Sequence, residues 1–174
     1  MNFKVAFLLS AGLLLAPSAW CGHTLSTQER KVLSNWLSRR PRYRLANDHD
    51  CKCAGSILDM RTGFDGQWKP VRDYHPYVAT GDFNGDGTED FAVVVIDRTK
   101  KDENFALVVF NGPFETEEAS PAFFKKGLDL EARGLFFGPP RPKPYRLVMG
   151  PFESDNTVVL VPYGRSYRLD GGEE

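Results

Sequence analysis

This sequence has few cysteines and histidines, and its positive and negative charges nearly balance. It has three cysteines and three histidines among 174 residues, and its 22 Lys and Arg residues are balanced by 23 Asp and Glu residues, for a formal net charge of −1. Proteins that bind nucleic acid usually carry a basic field. The balanced charge therefore argues against a dedicated DNA- or RNA-binding protein, and the sequence contains no recognisable catalytic constellation.

Long apolar segments are also absent beyond the N-terminal region. Residues 1–21 combine a polar start at Lys4, an apolar run over residues 5–16 and small residues at 16–19, which is the order typical of a secretory signal peptide. The run is too short for a membrane-spanning helix, which needs about 20 apolar residues. We expect residues 1–21 to be a signal peptide and residues 22–174 to form one exported domain, periplasmic or secreted, with no transmembrane segment.

Two cleavage sites fit this signal peptide. Small residues at the −3 and −1 positions allow cleavage after Ser18 or after Cys21. Cys21 also raises the question of lipid attachment, but the bulky Trp20 stands before it, where lipid-attachment sites carry a small residue. We therefore expect a cleaved protein without a lipid anchor.

Export changes what the cysteines are expected to do, because thiols pair more readily in an oxidising compartment. Cys51 and Cys53 can form a tight disulfide with each other, and Cys21 is a competing partner if it survives processing. The alternative is a soft-metal site in which His49, Cys51 and Cys53 supply the ligands. No second cluster of ligands in the sequence completes such a site, so a disulfide is the preferred interpretation.

Composition and patterning predict one globular domain. The chain is 41% hydrophobic and 26% charged, which suits a packed core and excludes disorder as the main state. Ser26 followed by Glu29 has the reciprocal pattern of a helix N-terminus, and Pro41 is expected to end that helix. An apolar stripe at helical spacing follows the cap: Val32, Leu33, Trp36 and Leu37.

Apolar runs with strand character dominate the rest of the chain. Residues 91–96 and 105–110 are rich in β-branched and aromatic side chains and flank the polar stretch 97–104, which predicts an antiparallel hairpin. The proline-rich residues 138–144 are expected to form an extended connection. Further strand candidates lie at residues 135–137, 145–149, 157–161 and 166–169. We therefore predict an α+β fold, with the N-terminal helix packed on a mostly antiparallel sheet of about five to seven strands.

One segment carries an ion-binding pattern. Residues 82–90 read Asp-Phe-Asn-Gly-Asp-Gly-Thr-Glu-Asp, which puts oxygen ligands at alternate positions of a tight loop. Calcium takes about six to eight oxygen ligands, and acidic groups so close together repel one another unless a cation offsets them. The predicted ligands are the side chains of Asp82, Asn84, Asp86 and Asp90 and the carbonyl oxygen of Thr88. The alternatives are an ion-free turn built from the same residue types, and magnesium, which prefers a tighter octahedron.

The loop leads into an apolar strand, and Val93 stands where a helix–loop–helix calcium site would carry a bidentate glutamate. In these respects residues 81–90 resemble the FG-GAP and VCBS repeats of secreted and cell-surface proteins. The resemblance covers residues 79–110 once, and it implies a structural calcium ion held by the loop carboxylates. It does not extend to a propeller, which needs at least about four blades of about 40–50 residues. More loosely, residues 51–97 resemble small exported bacterial proteins that contain one such repeat.

A group of aromatic residues and one histidine precedes the loop: Trp68, Tyr74, His75 and Tyr77. These side chains can belong to the core or can line a recognition surface for a protein or envelope partner. A hydrolase would use His75 with Asp73 or Asp90 as acid and base, or a calcium-bound water, but neither a third catalytic member nor an oxyanion site is evident. We therefore expect no catalytic residues, and the preferred function is an exported, non-enzymatic calcium-binding domain.

Overall fold

The computed structural model of the chain describes residues 24–67, 69–138, 143–152, 154 and 156–171. These residues form two α-helices, one turn of 3₁₀ helix and nine β-strands. The helices are α1 (Thr27–Ser38) and α2 (Ala54–Thr62), and the 3₁₀ turn is Asp48–Cys51. The strands are β1 (Tyr43–Leu45), β2 (Val78–Gly81), β3 (Asp90–Asp97), β4 (Phe105–Phe110), β5 (Phe123–Leu128), β6 (Arg133–Phe136), β7 (Val148–Pro151), β8 (Val158–Tyr163) and β9 (Ser166–Asp170).

Three of the predictions fall outside the described residues. They concern the signal peptide at residues 1–21 with Cys21, the side chain of Trp68, and most of the proline-rich stretch 138–144. The predicted hairpin, the ion loop and the Cys51–Cys53 pair all lie inside the described ranges. Among the described residues, no helix combines the length and the apolar character needed to cross a membrane.

Helix α1 begins at the predicted cap. The Oγ atom of Ser26 accepts a hydrogen bond from the backbone N–H of Glu29 at 3.3 Å, and the Glu29 carboxylate accepts one from the N–H of Ser26 at 2.6 Å. These bonds satisfy N–H groups that the first turn of a helix leaves free. The helix ends at Ser38, shortly before Pro41. Its predicted apolar stripe is buried against a sheet through Val32, Leu33 and Trp36.

The first sheet has five antiparallel strands. Its central strand β3 pairs with β1, β2 and β4, and β5 pairs with the other side of β4. Every residue of β3 and β4 is buried, because α1 covers one face of the sheet and the second sheet covers the other. Side chains alternate between the two faces: Val93 and Val95 pack with α1, while Val94 packs with the second sheet. This double burial explains the continuously apolar sequence inside β3.

The second sheet has four antiparallel strands in the order β6–β7–β8–β9. Its buried side chains pack in one cluster with the inner face of the first sheet and with the segment around α2. The second sheet contributes Leu135, Met149, Leu160 and Tyr167, and the α2 segment contributes Cys51, Cys53 and Ile57. The protein therefore has three layers, formed by α1, the first sheet and the second sheet, and α2 shares the core between the two sheets.

The predicted α+β class is confirmed, but the strands form two sheets instead of a single sheet of five to seven strands. The predicted hairpin is β3–β4, and the four later candidates correspond to β6, β7, β8 and β9. The sequence does not predict α2, β1, β2 or β5. Strand β1 has three residues, β5 carries two exposed lysines, and α2 buries Ile57 without a continuous apolar stripe. Tertiary packing, more than local pattern, determines these elements.

The segment before β2 is packed against the second sheet by Tyr74, which is wholly buried. Its ring is stacked on Phe136 with the centroids 5.9 Å apart, and it meets Phe152 edge-on at 6.0 Å. Gly134 on β6 permits this approach, because a Cβ atom there would collide with the Tyr74 hydroxyl group. Tyr74 and the similarly buried Tyr77 are therefore core residues, which is one of the two roles that the sequence allows for them.

Replacing Gly134 with alanine is expected to destabilise the protein by about 1–3 kcal/mol, the usual cost of inserting a carbon atom into a packed core. The matched control is Gly55→Ala in α2, where a Cβ atom meets nothing within 4 Å and where alanine is expected to stabilise the helix by up to about 1 kcal/mol. Urea denaturation of the three proteins measures both changes. Equal stability of Gly134→Ala and the wild type would contradict the packing of Tyr74 against β6.

Candidate functional site

The predicted ion loop connects β2 to β3. Strand β2 ends at Gly81 and β3 begins at Asp90, and these two residues face each other across the antiparallel pair. The backbone between them turns at Gly85 and Gly87, which have φ angles of 84° and 86°, in a region that side chains with a Cβ atom rarely adopt. The buried strand that the sequence predicts after the loop is confirmed as β3.

Asp82 organises the backbone of the loop. Its Oδ1 atom accepts hydrogen bonds from the N–H groups of Gly85 at 2.6 Å and Asp86 at 3.0 Å, and its Oδ2 atom accepts one from Gly87 at 2.9 Å. Short aspartate side chains bond in this way to backbone groups that follow them in a turn. One carboxylate thus holds three consecutive N–H groups, and the loop wraps around it.

Asn84 and Asp86 add a second set of bonds inside the loop. The Oδ1 atom of Asn84 accepts a hydrogen bond from the N–H of Asp86 at 2.8 Å, and its amide nitrogen donates to Asp86 Oδ2 at 2.9 Å. Asp86 Oδ1 accepts from both the hydroxyl group and the backbone N–H of Thr88. The bonds from Thr88 lower the pKa of Asp86 below its ordinary value. Asp86 is therefore an exposed and ionised carboxylate.

Asp90 ties the loop to two other parts of the protein. Its carboxyl group is wholly buried, and it accepts hydrogen bonds from the N–H of Phe83 at 2.9 Å and from the N–H of Gly112 at 3.0 Å. The hydroxyl oxygen of Tyr167, on β9, lies 3.3 Å from Asp90 Oδ2 and 2.7 Å from Asn111 Oδ1. The loop, the connection after β4 and the second sheet therefore meet at one carboxyl group.

Burial raises the pKa of Asp90 to about 6, although the hydrogen bonds from Gly112 and Phe83 act in the opposite direction. Burial also raises the pKa of Tyr167, and the nearby Asp90 adds to that effect. The single hydroxyl proton of Tyr167 bonds to one acceptor at a time, and the shorter contact is to Asn111. A protonated Asp90 can then donate to the Tyr167 oxygen, which is the arrangement that burial favours below about pH 6.

The loop carboxylates lack a basic partner within the described part of the chain. No lysine or arginine there forms an ion pair with any of four acidic residues: Asp82, Asp86, Glu89 and Asp90. The buried carboxylate at the other end of β3 differs, because Asp97 bonds to the guanidinium group of Arg42 and this lowers the pKa of Asp97. The acidic group of the loop is thus uncompensated by the residues that the structure describes.

The five predicted ligands share one loop, but their side chains do not form a ready-made metal cluster. Within the described ranges, no three side chains of Asp, Glu, His or Cys come together in a group that could hold a metal ion. Asp82 and Asp86 bond to the loop backbone, whereas Asp90 lies beneath it in the core. The donor set consists entirely of oxygen atoms and suits a hard cation such as calcium. Calcium binding therefore stays a prediction with a chemically suitable set of ligands.

Cys51 and Cys53 are joined as a disulfide, which is one of the pairings that the sequence allows. The two residues lie between the end of the 3₁₀ turn and the start of α2. Because the two sulfur atoms are bonded to each other, neither is available as a thiolate ligand in this state. The soft-metal alternative with His49 therefore requires the reduced form of this pair.

Among the described residues, the hydrogen-bond partner of His75 is Asp48, which also pairs with Arg61, and not Asp73 or Asp90, which the hydrolase alternative would use as acid and base. The Nδ1 atom of His75 lies 3.0 Å from Asp48 Oδ1, and Arg61 Nη2 lies 2.6 Å from Asp48 Oδ2. Burial acts to raise the pKa of Asp48, but the hydrogen bonds from His75 and Arg61 outweigh it and leave this pKa below its ordinary value. The sequence offers no signal for this pairing, because Asp48 and His75 are 27 positions apart.

This cluster joins three segments and presents no activated nucleophile. Arg61 on α2 donates to the carbonyl oxygen of Tyr74 through Nε at 2.9 Å and through Nη2 at 2.7 Å, while Asp48 belongs to the 3₁₀ turn. In the part of the chain that the structure describes, no serine, threonine or cysteine side chain is hydrogen-bonded to His75. The hydrolase alternative therefore gains no support from the surroundings of His75.

Comparison with protein-family models, with curated proteins and with solved structures finds no match to this chain. The likeness of residues 79–110 to an FG-GAP or VCBS repeat therefore stays a prediction from the motif. What the chain does must be inferred from the loop, from the contacts of Asp90 and from the residues around the disulfide.

In the absence of calcium, the raised pKa of Asp90 is expected to make the folded state lose stability as the pH rises. The folded state holds this proton up to about pH 6, while the unfolded state releases it near the ordinary value of 3.8. The stability that depends on Asp90 therefore falls between about pH 4 and pH 6. The expected loss is on the order of 3 kcal/mol. Urea denaturation in the presence of a chelator, from acidic to neutral pH, measures it.

Asp90→Asn is the matched variant, because an amide does not titrate in this range. At low pH the wild type should be more stable than Asp90→Asn. This difference should disappear as the pH rises from about 4 to about 6. Asp102→Asn, in the exposed loop after β3, should follow the wild type. A difference between the wild type and Asp90→Asn that stays constant with pH would contradict the raised pKa.

Proposed function

We propose that this protein is an exported, non-enzymatic domain in which a calcium ion bound by residues 82–90 stabilises the β2–β3 hairpin and its contact with the second sheet. The observation that carries this proposal is the uncompensated acidic group of the loop. Three aspartates and one glutamate lie within nine residues, they form no ion pair with a basic residue of the described chain, and Asp90 is wholly buried. A divalent cation would supply the missing positive charge.

The residues that would hold the ion supply oxygen atoms only: Asp82, Asn84, Asp86 and Asp90 through their side chains and Thr88 through its carbonyl group. The Oδ2 atom of Asp82 accepts one hydrogen bond, so it retains a lone pair for a cation. The backbone bonds of Asp82 already wrap the loop around its carboxylate. An ion would therefore require the ligand side chains to rearrange, but it would require little further ordering of the loop backbone.

The proposed structural effect of the ion depends on Asp90. A carboxylate ligand must be ionised, so bound calcium would displace the proton that burial otherwise favours on Asp90. The ionised carboxylate would accept stronger, charge-assisted hydrogen bonds from the N–H groups of Phe83 and Gly112, and the Tyr167 hydroxyl group is within reach. Calcium is thereby expected to stabilise the contact between the loop and the second sheet as well as the loop itself.

The proposed location is the periplasm or the extracellular space. The sequence of residues 1–21 and the Cys51–Cys53 disulfide support export, because disulfides persist in oxidising compartments. Even a weak site, with a Kd on the order of 10⁻⁴ to 10⁻³ M, is occupied where calcium is abundant. The balanced charge of the chain gives no reason to propose a nucleic acid as a partner, and a protein or envelope partner is compatible with the proposal.

Calcium is expected to raise the melting temperature of the protein, and Asp86→Ala is expected to abolish the rise. At a hundredfold excess over Kd the stabilisation is about 2.7 kcal/mol, which corresponds to about 5–10 °C for a domain of this size. Asp102→Ala is the matched control, because it removes an exposed acidic side chain outside the proposed site and should keep the full calcium shift. Thermal unfolding followed by circular dichroism, in calcium and in a chelator, measures the effect.

Four outcomes bear on the proposal. A smaller shift with magnesium than with calcium at equal concentration would support it, because magnesium fits such a loop less well. Equal melting temperatures in calcium and in chelator would contradict the proposed structural role of calcium. Stoichiometric copper or zinc that survives Asp86→Ala but is lost in Cys53→Ser would favour the soft-metal alternative. A reproducible hydrolytic activity that is lost in His75→Ala would favour the hydrolase alternative.

A further inference from the structure

The Cys51–Cys53 disulfide borders a cleft in the protein surface. The cleft has a volume of about 380 Å³ and is lined by residues of the 3₁₀ turn, of the short link after it and of α2. Cys53 is one of the lining residues, whereas Cys51 is not. A molecule that enters the cleft therefore contacts Cys53 and not Cys51.

The surroundings of the two sulfur atoms suit different roles in an exchange reaction. Cys51 is 0% exposed, and its Sγ atom lies 3.6 Å from the carbonyl oxygen of Arg133, where a thiol can donate a weak hydrogen bond. Cys53 is 7% exposed and faces the cleft. Cys53 is thus the more accessible residue of the pair, although it also packs in the core shared by the two sheets, and Cys51 is then the leaving sulfur, which takes up a proton.

Cys53 is the N-cap of the nine-residue helix α2, and its side chain makes no capping hydrogen bond. The N-terminus of a helix carries a partial positive charge, which stabilises a nearby thiolate. Lys52 and Arg61 line the cleft as well, but they are paired with Glu131 and Asp48.

Two apolar side chains form one wall of the cleft. Ile57 and Leu58 line it together with Cys53, and Leu58 is 59% exposed. An exposed leucine beside the disulfide offers a contact for a side chain next to the attacking sulfur of a partner. The occupant that fits both features is a cysteine of a polypeptide with apolar neighbours.

A purely structural role accounts poorly for this disulfide. A cross-link stabilises a protein mainly by constraining the unfolded chain, and the effect grows with the number of residues in the loop that it closes. Only Lys52 separates Cys51 from Cys53. The pair therefore contributes less to stability than a disulfide between distant segments would, and a chemical role explains its place at a cleft better.

We propose that the Cys51–Cys53 disulfide is a thiol–disulfide exchange site that oxidises cysteine pairs of polypeptides with apolar neighbours. In the first step a partner thiolate attacks the Sγ atom of Cys53 from the cleft. A sulfur–sulfur bond forms between the partner and Cys53, the bond between Cys51 and Cys53 breaks, and Cys51 leaves with the electron pair and is protonated.

A second cysteine of the partner completes the exchange. Its thiolate attacks the partner sulfur of the mixed disulfide, which forms a disulfide within the partner and releases Cys53 as a thiolate. The partner dithiol loses two electrons and two protons, and the protein disulfide gains them. No ligand of the proposed calcium loop takes part, so the exchange rates should be the same in calcium and in chelator.

Single-cysteine variants test which sulfur is accessible. In Cys51→Ser we expect the thiol of Cys53 to form a mixed disulfide with oxidised glutathione at least about tenfold faster than the thiol of Cys51 does in Cys53→Ser. Peptide mapping by mass spectrometry locates the adduct and separates any reaction at Cys21. Equal rates, or a faster reaction at Cys51, would overturn the proposal.

The wild-type protein provides a test that does not depend on the folding of either variant. The oxidised protein is mixed with reduced glutathione, quenched with acid and mapped by mass spectrometry. Glutathione on Cys53 supports the proposal. Glutathione on Cys51, or a disulfide that reacts only in denaturant, overturns it.

Two dithiol peptides test the class of partner. A reduced peptide with leucines beside its cysteines should be oxidised several times faster than one with aspartates there, and Leu58→Ser should remove most of that difference without slowing the reaction with glutathione. Tyr163→Ser is the matched control, because Tyr163 is an exposed side chain on β8 outside the cleft. Equal rates for the two peptides would overturn the assignment of the partner class.

Discussion

The carboxyl group of Asp90 lies wholly inside the protein, at the point where three segments of the chain meet. The N–H groups of Phe83 and Gly112 bond to it, and the Tyr167 hydroxyl group reaches it from the second sheet. A buried carboxyl group is costly unless hydrogen bonds or an opposite charge compensate it. The path of the β2–β3 loop, the connection after β4 and the position of β9 against the first sheet all depend on satisfying this one group.

Each end of β3 carries a buried carboxyl group, and the two groups have different partners. Asp97 is almost fully buried and bonds to the guanidinium group of Arg42, which holds the pKa of Asp97 below its usual range. Asp90 has hydrogen bonds but no cationic side chain among its described partners, and burial raises its pKa. An arginine is thus present for one buried carboxylate, while the other is joined to the glycine-rich loop that carries the proposed oxygen ligands. That arrangement is the one expected where a cation from solution completes the site.

The elements that the sequence predicts correctly are those with a local signal. The reciprocal cap of Ser26 and Glu29 marks the start of α1, and apolar runs mark β3 and β4. Because both faces of these strands are covered, they lack the polar alternation that would distinguish a core face from a solvent face. The second sheet therefore cannot be inferred from them. Helix α2 and strand β5 have weak local patterns, and their packing in the shared core decides their structure.

The same distinction between local sequence signals and tertiary packing applies to the two candidate sites. The proposed ligands of the loop are neighbours in sequence, so composition alone points to them, whereas Asp90 and Tyr167 are 77 positions apart and no spacing rule joins them. Likewise the sequence shows the cysteine pair, but the cleft beside Cys53 exists only because α2 folds next to it. A loop with the same nine residues on another scaffold would keep its proposed oxygen ligands and lose the burial of Asp90. The residues proposed for both sites are therefore recognisable from local sequence, while the burial of Asp90 and the cleft beside Cys53 depend on the fold.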